Sequence, residues 1–301
     1  MKEQKPSIGL IGCGLMGSGI AASLLRNGYP LTILEHPGNQ PLAPLLGAGA
    51  KSVPAIADVA AAADLIILCV TGTPQVEAVL FSAGGLLEHL RACTTLVDCS
   101  TAIPGSTVRI AAEVEKAGGR FLDAAMTRTP KEAAEGRLNL IVGAALPDYE
   151  AVLPVLEAFS EVIVHAGPVG AGHRMKLLHN YVSLGFSAVL AEAAAMARRA
   201  DMDPQLFCDV LATGGGGGVV LERLRPYIEN GNCDNFRFAT SNALKDLEYY
   251  CAMADEQQGW NGVAQSIRAL YSQATAAGLG QIPLPQIIDH LATTGSPERE
   301  A

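Results

Sequence analysis

The fold is decided by the stretch Ser7–Gly17, which reads SIGLIGCGLMG. An apolar strand, predicted over Ser7–Ile11, runs into the pattern G-x-G-x-x-G, and a helix is predicted over Met16–Asn27. The first glycine allows a tight turn, the second lets a pyrophosphate approach the backbone, and the third lets the helix pack on the strand. Because the amino terminus of the helix then faces the phosphates, the stretch predicts a dinucleotide-binding unit.

An acidic residue follows at the distance this unit requires. Glu35 ends the second predicted strand, about 20 residues after Gly14, where its carboxylate can accept hydrogen bonds from the adenosine ribose hydroxyls. The same carboxylate would repel a 2′-phosphate, and His36 after it has no strong basic companion nearby. The cofactor is therefore predicted to be NAD or NADP, with NAD favoured.

The composition excludes several classes of protein. A chain of 301 residues suggests about two domains. With 21 Lys and Arg against 30 Asp and Glu, the net charge of −9 argues against nucleic-acid and anionic-membrane partners, because phosphate binding needs clustered cations. A hydrophobic share of 49% with 17% charged residues excludes a disordered chain.

The sequence contains no recognisable targeting signal and no metal-binding motif. We find neither a secretory signal pattern nor an uncharged apolar run long enough to span a membrane. The seven cysteines form no C-x-x-C pair, which indicates buried, reduced thiols in a cytoplasmic protein. The six histidines contain no i, i+4 pair, and no catalytic metal is expected.

The first half of the chain alternates strand and helix patterns, which predicts right-handed βαβ units in a largely parallel sheet. The predicted strands are Ser7–Ile11, Pro30–Leu34, Asp64–Val70, Thr94–Asp98, Arg120–Ala124, Leu138–Gly143 and Val162–His165. From about His173 onward the periodicity is helical, beginning with a long helix to Arg199. We therefore predict an α/β Rossmann-type domain over residues 1–166, joined by a long helix to an all-α domain over residues 167–301.

Ligands in such sheets bind at the carboxyl ends of the strands. Cys69, Val70 and Thr71 stand at the end of one predicted strand, and Thr101 follows another. The motif and these strand ends give the predicted cofactor-binding residues Gly12, Gly14, Leu15, Met16, Gly17, Glu35, His36, Cys69, Val70, Thr71 and Thr101.

Four blocks in order give the chain a resemblance to the β-hydroxyacid dehydrogenase family. They are Gly9–Gly17, then Asp123–Thr129 with Glu135–Leu138, then Gly170–Gly172 with Lys176 and Asn180, and finally Lys245-Asp246-Leu247. The resemblance implies reversible hydride transfer between NAD(P) and a small anionic β-hydroxy compound, in a homodimer or homotetramer whose helical domain binds substrate and dimerises.

Site roles follow from the resemblance and from helix geometry. The resemblance implies that Lys176 is the general acid/base, that Asn180 is its partner and that Lys245 lies near the nicotinamide. Lys176 and Asn180 are four residues apart on a predicted helix and so share one face, just after a glycine turn. The predicted substrate-binding residues are Ser100, Thr127, Arg128, Thr129, Gly172, Lys176 and Asn180.

The substrate segment departs from the family pattern. The usual Ser-Gly-Gly triplet is replaced by Thr127-Arg128-Thr129. A guanidinium presents paired donors to an oxyanion, and the sulfolactaldehyde reductase branch is similar in placing an Arg-Thr pair here. This favours a sulfonate or phosphonate substrate. The alternatives are a carboxylate substrate, such as 3-hydroxyisobutyrate or tartronate semialdehyde, with Arg128 in solvent or in a structural salt bridge.

Two further readings of the whole chain stay open, and so does one segment. An imine reductase would share this architecture, although such proteins usually lack the lysine at the position of Lys176. A non-catalytic dinucleotide-binding protein is disfavoured by Lys176, Asn180 and Lys245. The run Gly214–Gly218 is either a flexible loop between helices or a loop whose amides close on an anionic substrate.

Overall fold

The computed structural model describes residues 5–294, and the first unit of the chain is built on an eight-stranded sheet of order β3-β2-β1-β4-β5-β6-β7-β8. The strands are β1 Ile8–Ile11, β2 Leu31–Leu34, β3 Lys51–Val53, β4 Leu65–Leu68, β5 Thr95–Asp98, β6 Arg120–Thr127, β7 Leu138–Gly143 and β8 Ser160–Gly167. Strands β1, β4 and β5 are buried along their whole length, as expected of central parallel strands covered on both faces.

The sheet is largely parallel, as predicted, but individual strands differ from their predicted limits. The sheet is parallel except that β6 and β7 pair antiparallel. Strand β6 also continues to Thr127, beyond the predicted end at Ala124, because it gains β7 as a partner after its last pair with β5 at Asp123. The three-residue edge strand β3 was not predicted, since Lys51–Val53 is short and partly exposed.

Eight helices of the described first unit surround this sheet. They are α1 Leu15–Arg26, α2 Ala43–Gly47, α3 Ile56–Ala62, α4 Thr73–Phe81, α5 Leu86–His89, α6 Pro104–Lys116, α7 Pro130–Glu135 and α8 Leu146–Leu156. Successive residues of β4 alternate between two cores: Leu65 and Ile67 pack with α1 and α8, while Ile66 and Leu68 pack with α3, α4 and α6. Apolar burial on both faces holds the site-bearing strand ends in place.

The second unit is helical, as predicted. Its helices are α9 Ala171–Arg199, which begins in the first unit, then α10 Pro204–Ala212, α11 Val219–Asn230, α12 Thr240–Glu256, α13 Gly262–Ala274 and α14 Ile287–Thr293. A π-helical turn over Thr275–Leu279 and a 3-10 turn over Leu284–Gln286 precede α14. Tyr271 is fully buried in this core and donates a 2.7 Å hydrogen bond to the carbonyl of Leu184 on α9.

The division between the two units falls inside α9, between Lys176 and Leu177. The predicted domain boundary between residues 166 and 167 stays a prediction. No helix in the part of the chain that the structure describes is long and apolar enough to cross a membrane. Residues 1–4, which contributed to the targeting prediction, and residues 295–301 lie outside the described part.

The seven cysteines carry free thiols. Four of them are buried, and burial raises the pKa of the Cys13 thiol to about 11. Cys69 and Cys233 are partly buried, and Cys93 departs furthest from the expected burial: it is exposed, in a turn just before β5 where its φ is 67°.

Candidate active site

The glycine turn between β1 and α1 has two glycines that the fold requires and one that it does not. A Cβ on Gly12 would lie 2.3 Å from the carbonyl oxygen of Cys69, and Gly12 has a φ of 98°. A Cβ on Gly17 would lie 2.0 Å from the carbonyl oxygen of Gly12. Gly14 has an ordinary φ of −75° and open space where its Cβ would be. The open side of the turn, at the amino terminus of α1, therefore fits a dinucleotide pyrophosphate.

An asparagine that the sequence did not reveal shapes this turn. Asn39 accepts a 3.1 Å hydrogen bond from the amide of Cys13 through Oδ1 and donates through Nδ2 to the carbonyl of Leu34, at 2.9 Å. It thereby ties the glycine turn to the end of β2. Asn39 lies in an irregular segment far along the chain from Cys13, and no spacing rule points to it.

A cavity of about 590 Å³ opens at the carboxyl end of β2. The Glu35 carboxylate accepts a 2.8 Å hydrogen bond from the Ser52 hydroxyl, and Nδ1 of His36 accepts one of 3.0 Å from the amide of Gly38. The described residues that line the cavity are Glu35, His36, Pro37, Asn39, Gln40, Leu42 and Pro54, without Lys or Arg. Glu35, the residue predicted to bind the adenosine ribose, therefore lines an open cavity.

The ends of β4 and β5 lie side by side in the sheet. Val70 follows β4, Ser100 follows β5, and the Val70 amide donates a 3.0 Å hydrogen bond to the Ser100 hydroxyl oxygen. Ser100 is buried, whereas Thr71 is exposed at the edge of the sheet. The structure thus brings the predicted groups of these two strand ends to one place.

The start of α9 is fixed to the sheet by a buried carboxylate. Asp123 accepts hydrogen bonds from the amides of Gly170, at 2.6 Å, and His173, at 2.7 Å. A carboxylate there satisfies amide donors of the first turn and stabilises the positive end of the helix dipole. Gly172 is a required glycine, because its Cβ would lie 2.4 Å from the carbonyl oxygen of Ile141 on β7. The half-buried Lys176 follows one turn later.

The substrate segment is held by contacts within the first unit. Arg128 donates a 2.6 Å hydrogen bond to the carbonyl of Arg137 and forms an ion pair with Glu161 on β8. It adopts a φ of 82°, which suits the glycine of the usual triplet and costs about 1 kcal/mol for an arginine. The structural salt bridge is therefore the contact that Arg128 makes in this structure.

The two threonines of this segment have different settings. Thr127 is the last residue of β6 and pairs in register with Asn139. Thr129 is the N-cap of α7 and forms a capping box with Glu132. The Glu132 carboxylate accepts hydrogen bonds from the Thr129 amide, at 3.0 Å, and from its hydroxyl, and the Thr129 hydroxyl oxygen accepts one from the amide of Lys131. The Thr129 hydroxyl lowers the pKa of Glu132.

In the second unit, Asp246 joins two of the predicted site residues. The Asn180 amide nitrogen donates a 2.6 Å hydrogen bond to Oδ2 of the buried Asp246. The ammonium of Lys245 lies 3.2 Å from Oδ1 of Asp246 and 5.3 Å from the ring centroid of Tyr249. The sequence pattern included Asp246 but assigned it no role.

Family models account for nearly the whole described chain. Residues 7–167 match the NAD-binding domain of 6-phosphogluconate dehydrogenase. Residues 170–290 match the NAD-binding domain of NADP-dependent 3-hydroxyisobutyrate dehydrogenase.

Individual relatives agree with these models. An uncharacterized oxidoreductase of Synechocystis sp. is 35% identical over 80% of this chain and 83% of its own length. The 3-sulfolactaldehyde reductase of Escherichia coli is 29% identical over 95% of both chains. The crystal structure of 3-hydroxyisobutyrate dehydrogenase from Salmonella typhimurium superposes with a TM-score of 0.83 at 25% identity, covering 94% of this chain and 99% of that one.

The imine reductases are more distant. The enzyme from Pseudomonas sp. has a TM-score of 0.58 at 19% identity, covering 96% of this chain and 99% of that one, which shows a shared fold alone. The family models and the curated relatives agree with the four sequence blocks, and the chain accordingly belongs to the NAD(P)-dependent β-hydroxyacid dehydrogenase family.

Proposed function

We propose that this protein transfers a hydride between NAD(P) and a small anionic β-hydroxy compound, interconverting the alcohol and its aldehyde or ketone. The observation that carries the proposal is the placement of Lys176 one turn into α9, on a helix whose start is fixed to the dinucleotide-binding sheet by Asp123. Asn180 follows on the same face of the same helix.

The residues divide the chemistry as follows. A bound nicotinamide supplies the hydride acceptor in oxidation and the hydride donor in reduction. The Lys176 ammonium gives a proton to the carbonyl oxygen in reduction, and the amine takes it from the hydroxyl in oxidation. Asn180 keeps one amide proton for the substrate oxygen, because Asp246 accepts the other.

The test is Lys176→Ala, with Lys116→Ala on the surface of α6 as the matched control. We expect turnover to fall about 10³-fold, as for loss of a general acid, while NADH binding is retained. The control variant should keep native turnover. Native turnover in Lys176→Ala would contradict the assigned role.

For the substrate anion we propose a sulfonate or phosphonate bound by Arg128. The Arg128 guanidinium in the substrate segment supports this, as does the 29% identity to a protein named 3-sulfolactaldehyde reductase. The proposal requires Arg128 to exchange Glu161 for the substrate. A carboxylate substrate is the second candidate, favoured by the ion pair between Arg128 and Glu161.

Arg128→Gly separates these candidates, since glycine adopts a φ of 82° without strain. If Arg128 binds the anion, KM for three-carbon sulfonate or phosphonate substrates should rise about 10-fold or more. Arg120→Ala, at the opposite end of β6, is the control. An unchanged KM for sulfonates and phosphonates together with turnover of the carboxylate analogue would establish the second candidate.

We propose NAD as the preferred cofactor. The support is the Glu35 carboxylate and the absence of Lys and Arg among the described residues lining the cavity beside it. A 2′-phosphate would meet a negative charge there without a compensating cation. Titration should give tighter binding of NADH than of NADPH, and Glu35→Gln should reduce the difference. Tighter binding of NADPH by the native protein would refute the proposal.

We propose that the protein assembles as a homodimer or homotetramer through α9. Within the second unit, this helix exposes an apolar stripe at spacings of four and seven residues: Leu178 (40% exposed), Val182 (68%), Val189 (62%) and Met196 (63%). Such a stripe is typical of a helix covered by another chain. Val189→Glu should shift the native species to monomer in analytical ultracentrifugation, and a dimeric variant would contradict this surface.

We propose the cytoplasm as the compartment. The free state of all seven cysteines supports it, because disulfides form in oxidising compartments. Cell fractionation should recover the protein with cytoplasmic markers, and recovery from a secreted fraction would refute it.

A further inference from the structure

The side chain of His173 is fully buried in the first turn of α9, and both ring nitrogens have partners. Nε2 lies 3.1 Å from the carbonyl oxygen of Ser100, and Nδ1 lies 2.7 Å from the Thr107 hydroxyl. Because a carbonyl only accepts, Nε2 carries a proton and donates it to Ser100. Nδ1 faces the Thr107 hydroxyl, which also lies 3.2 Å from the carbonyl oxygen of Ile103.

Ser100, the residue bound by this ring, is itself fixed on two further sides. Its hydroxyl oxygen accepts the amide of Val70, and its own amide donates a 2.9 Å hydrogen bond to the buried Asp98. Burial raises the pKa of the Asp98 carboxyl, whose Oδ2 lies 3.9 Å from Nε2 of His173. The histidine therefore connects the first turn of α9 to the junction of β4 and β5.

Two separate links thus reach the first turn of α9. Asp123 holds its backbone amides from β6, and the His173 ring ties it to Ser100 after β5. Lys176 is three residues after His173 on the same rigid helix. The backbone link sets where the helix begins, whereas the ring link sets how far its first turn lies from Ser100.

We infer that His173 is a positioning residue, which sets the Lys176 ammonium relative to Ser100 through its Nε2 hydrogen bond. The inference rests on the proposed function of Lys176 and Ser100 at the substrate. Small displacements of a reacting group lower the rate without abolishing binding. His173 should therefore act on turnover and not on cofactor affinity.

Two amide variants of His173 test the hydrogen bond from Nε2 to the Ser100 carbonyl separately from the contact at Nδ1. In His173→Gln the longer amide can place a donor where Nε2 stands and retain the bond to Ser100. In His173→Asn the amide reaches only the Nδ1 position, so the bond to Ser100 is lost while the contact with Thr107 is kept. Tyr271→Phe is the control for stability, because it removes a buried hydrogen bond to the same helix at Leu184.

Three readouts are needed: kcat with KM, NADH affinity, and hydrogen exchange of the amides of residues 171–176. We expect His173→Asn to lower kcat about 30-fold with unchanged KM and NADH affinity, and to speed exchange of these amides. His173→Gln should rescue kcat and exchange, and Tyr271→Phe should lower thermal stability without lowering kcat.

Equal kcat and equal exchange in His173→Asn and His173→Gln would overturn the inference. A fall in kcat for Tyr271→Phe that matches its loss of stability, with the same relation in His173→Asn, would overturn it as well. If Lys176→Ala keeps native turnover while exchange still separates Asn from Gln at position 173, the proposed function fails and the positioning of the helix stands.

Discussion

Two glycine-rich turns of this protein have different physical reasons for their glycines. Around Gly12 the excluding atoms belong to Cys69, on a neighbouring strand end far along the chain. In Gly214–Gly218, between α10 and α11, the contacting atoms belong to the preceding helix, over Val210–Ala212, and Gly215 has nothing within 4 Å. The turn at Gly12 is therefore constrained by a neighbouring strand of the sheet, whereas the run Gly214–Gly218 contacts only the end of the helix before it. Glycine count alone does not distinguish them.

The largest expected effect is that of Gly12→Ala. A methyl group 2.3 Å from the Cys69 carbonyl oxygen, at a φ of 98°, forces the backbone to move. We expect destabilisation on the order of 3 kcal/mol in urea unfolding and loss of NADH binding. Gly47→Ala, where the Cβ meets nothing within 4 Å, is the control and should retain both. Native NADH affinity in Gly12→Ala would break the comparison.

Gly14→Ala separates the fold from the ligand within the first turn. Its Cβ has open space and its φ is ordinary, so stability should stay native or rise by about 0.5 kcal/mol. The added methyl group occupies the place where the pyrophosphate approaches, and NADH affinity should fall about 10-fold. Calorimetry and NADH titration on one preparation measure both quantities. Unchanged affinity would show that the open side of the turn is not the cofactor site.

The smallest expected effect is that of Gly215→Ala. We expect native kcat, KM and NADH affinity, with stability raised by about 0.5 kcal/mol, since alanine restricts the unfolded chain. Steady-state kinetics with thermal unfolding check this. A raised KM would instead indicate that the amides of Gly214–Gly218 contact the substrate, which would make the two turns alike.

Much of the fold could be predicted because it depends on local patterns. The buried strand β4 and the long helix α9 have strong periodicity and are found close to their predicted limits. The antiparallel direction of β7 could not be predicted, because the same apolar pattern suits either direction. Strand β3 was missed because three residues at a sheet edge give too short a pattern.

For the candidate site, the sequence indicated some residues and missed others. The sequence indicated the groups expected to meet ligands, namely Lys176, Asn180 and Ser100, whose roles stay predictions. It did not assign a role to the residues that contact them. Asp246 is bonded to Asn180 from another helix, and His173 was counted only among the histidines that form no i, i+4 pair. Such contacts join distant parts of the chain and leave no local spacing.

Arg128 is an instructive intermediate case. Its chemistry, a guanidinium among hydroxyl groups, predicted an anion, and the structure gives it one in Glu161. The partner is on a different strand and supplies the same negative charge that a substrate would. Residue chemistry therefore predicted the kind of contact, whereas only the fold shows which anion is nearest.

The packing of α1 against α7 matters for anyone who builds chimeras from this family. A Cβ on Gly19 would lie 2.6 Å from the carbonyl carbon of Ala133, and Arg26 donates a 2.7 Å hydrogen bond to the carbonyl of Ala134. The helix that follows the glycine turn and the helix that follows Thr127–Thr129 therefore interlock. A substrate segment transplanted from a relative must bring an α7 that accepts Gly19, so the two segments have to be exchanged together.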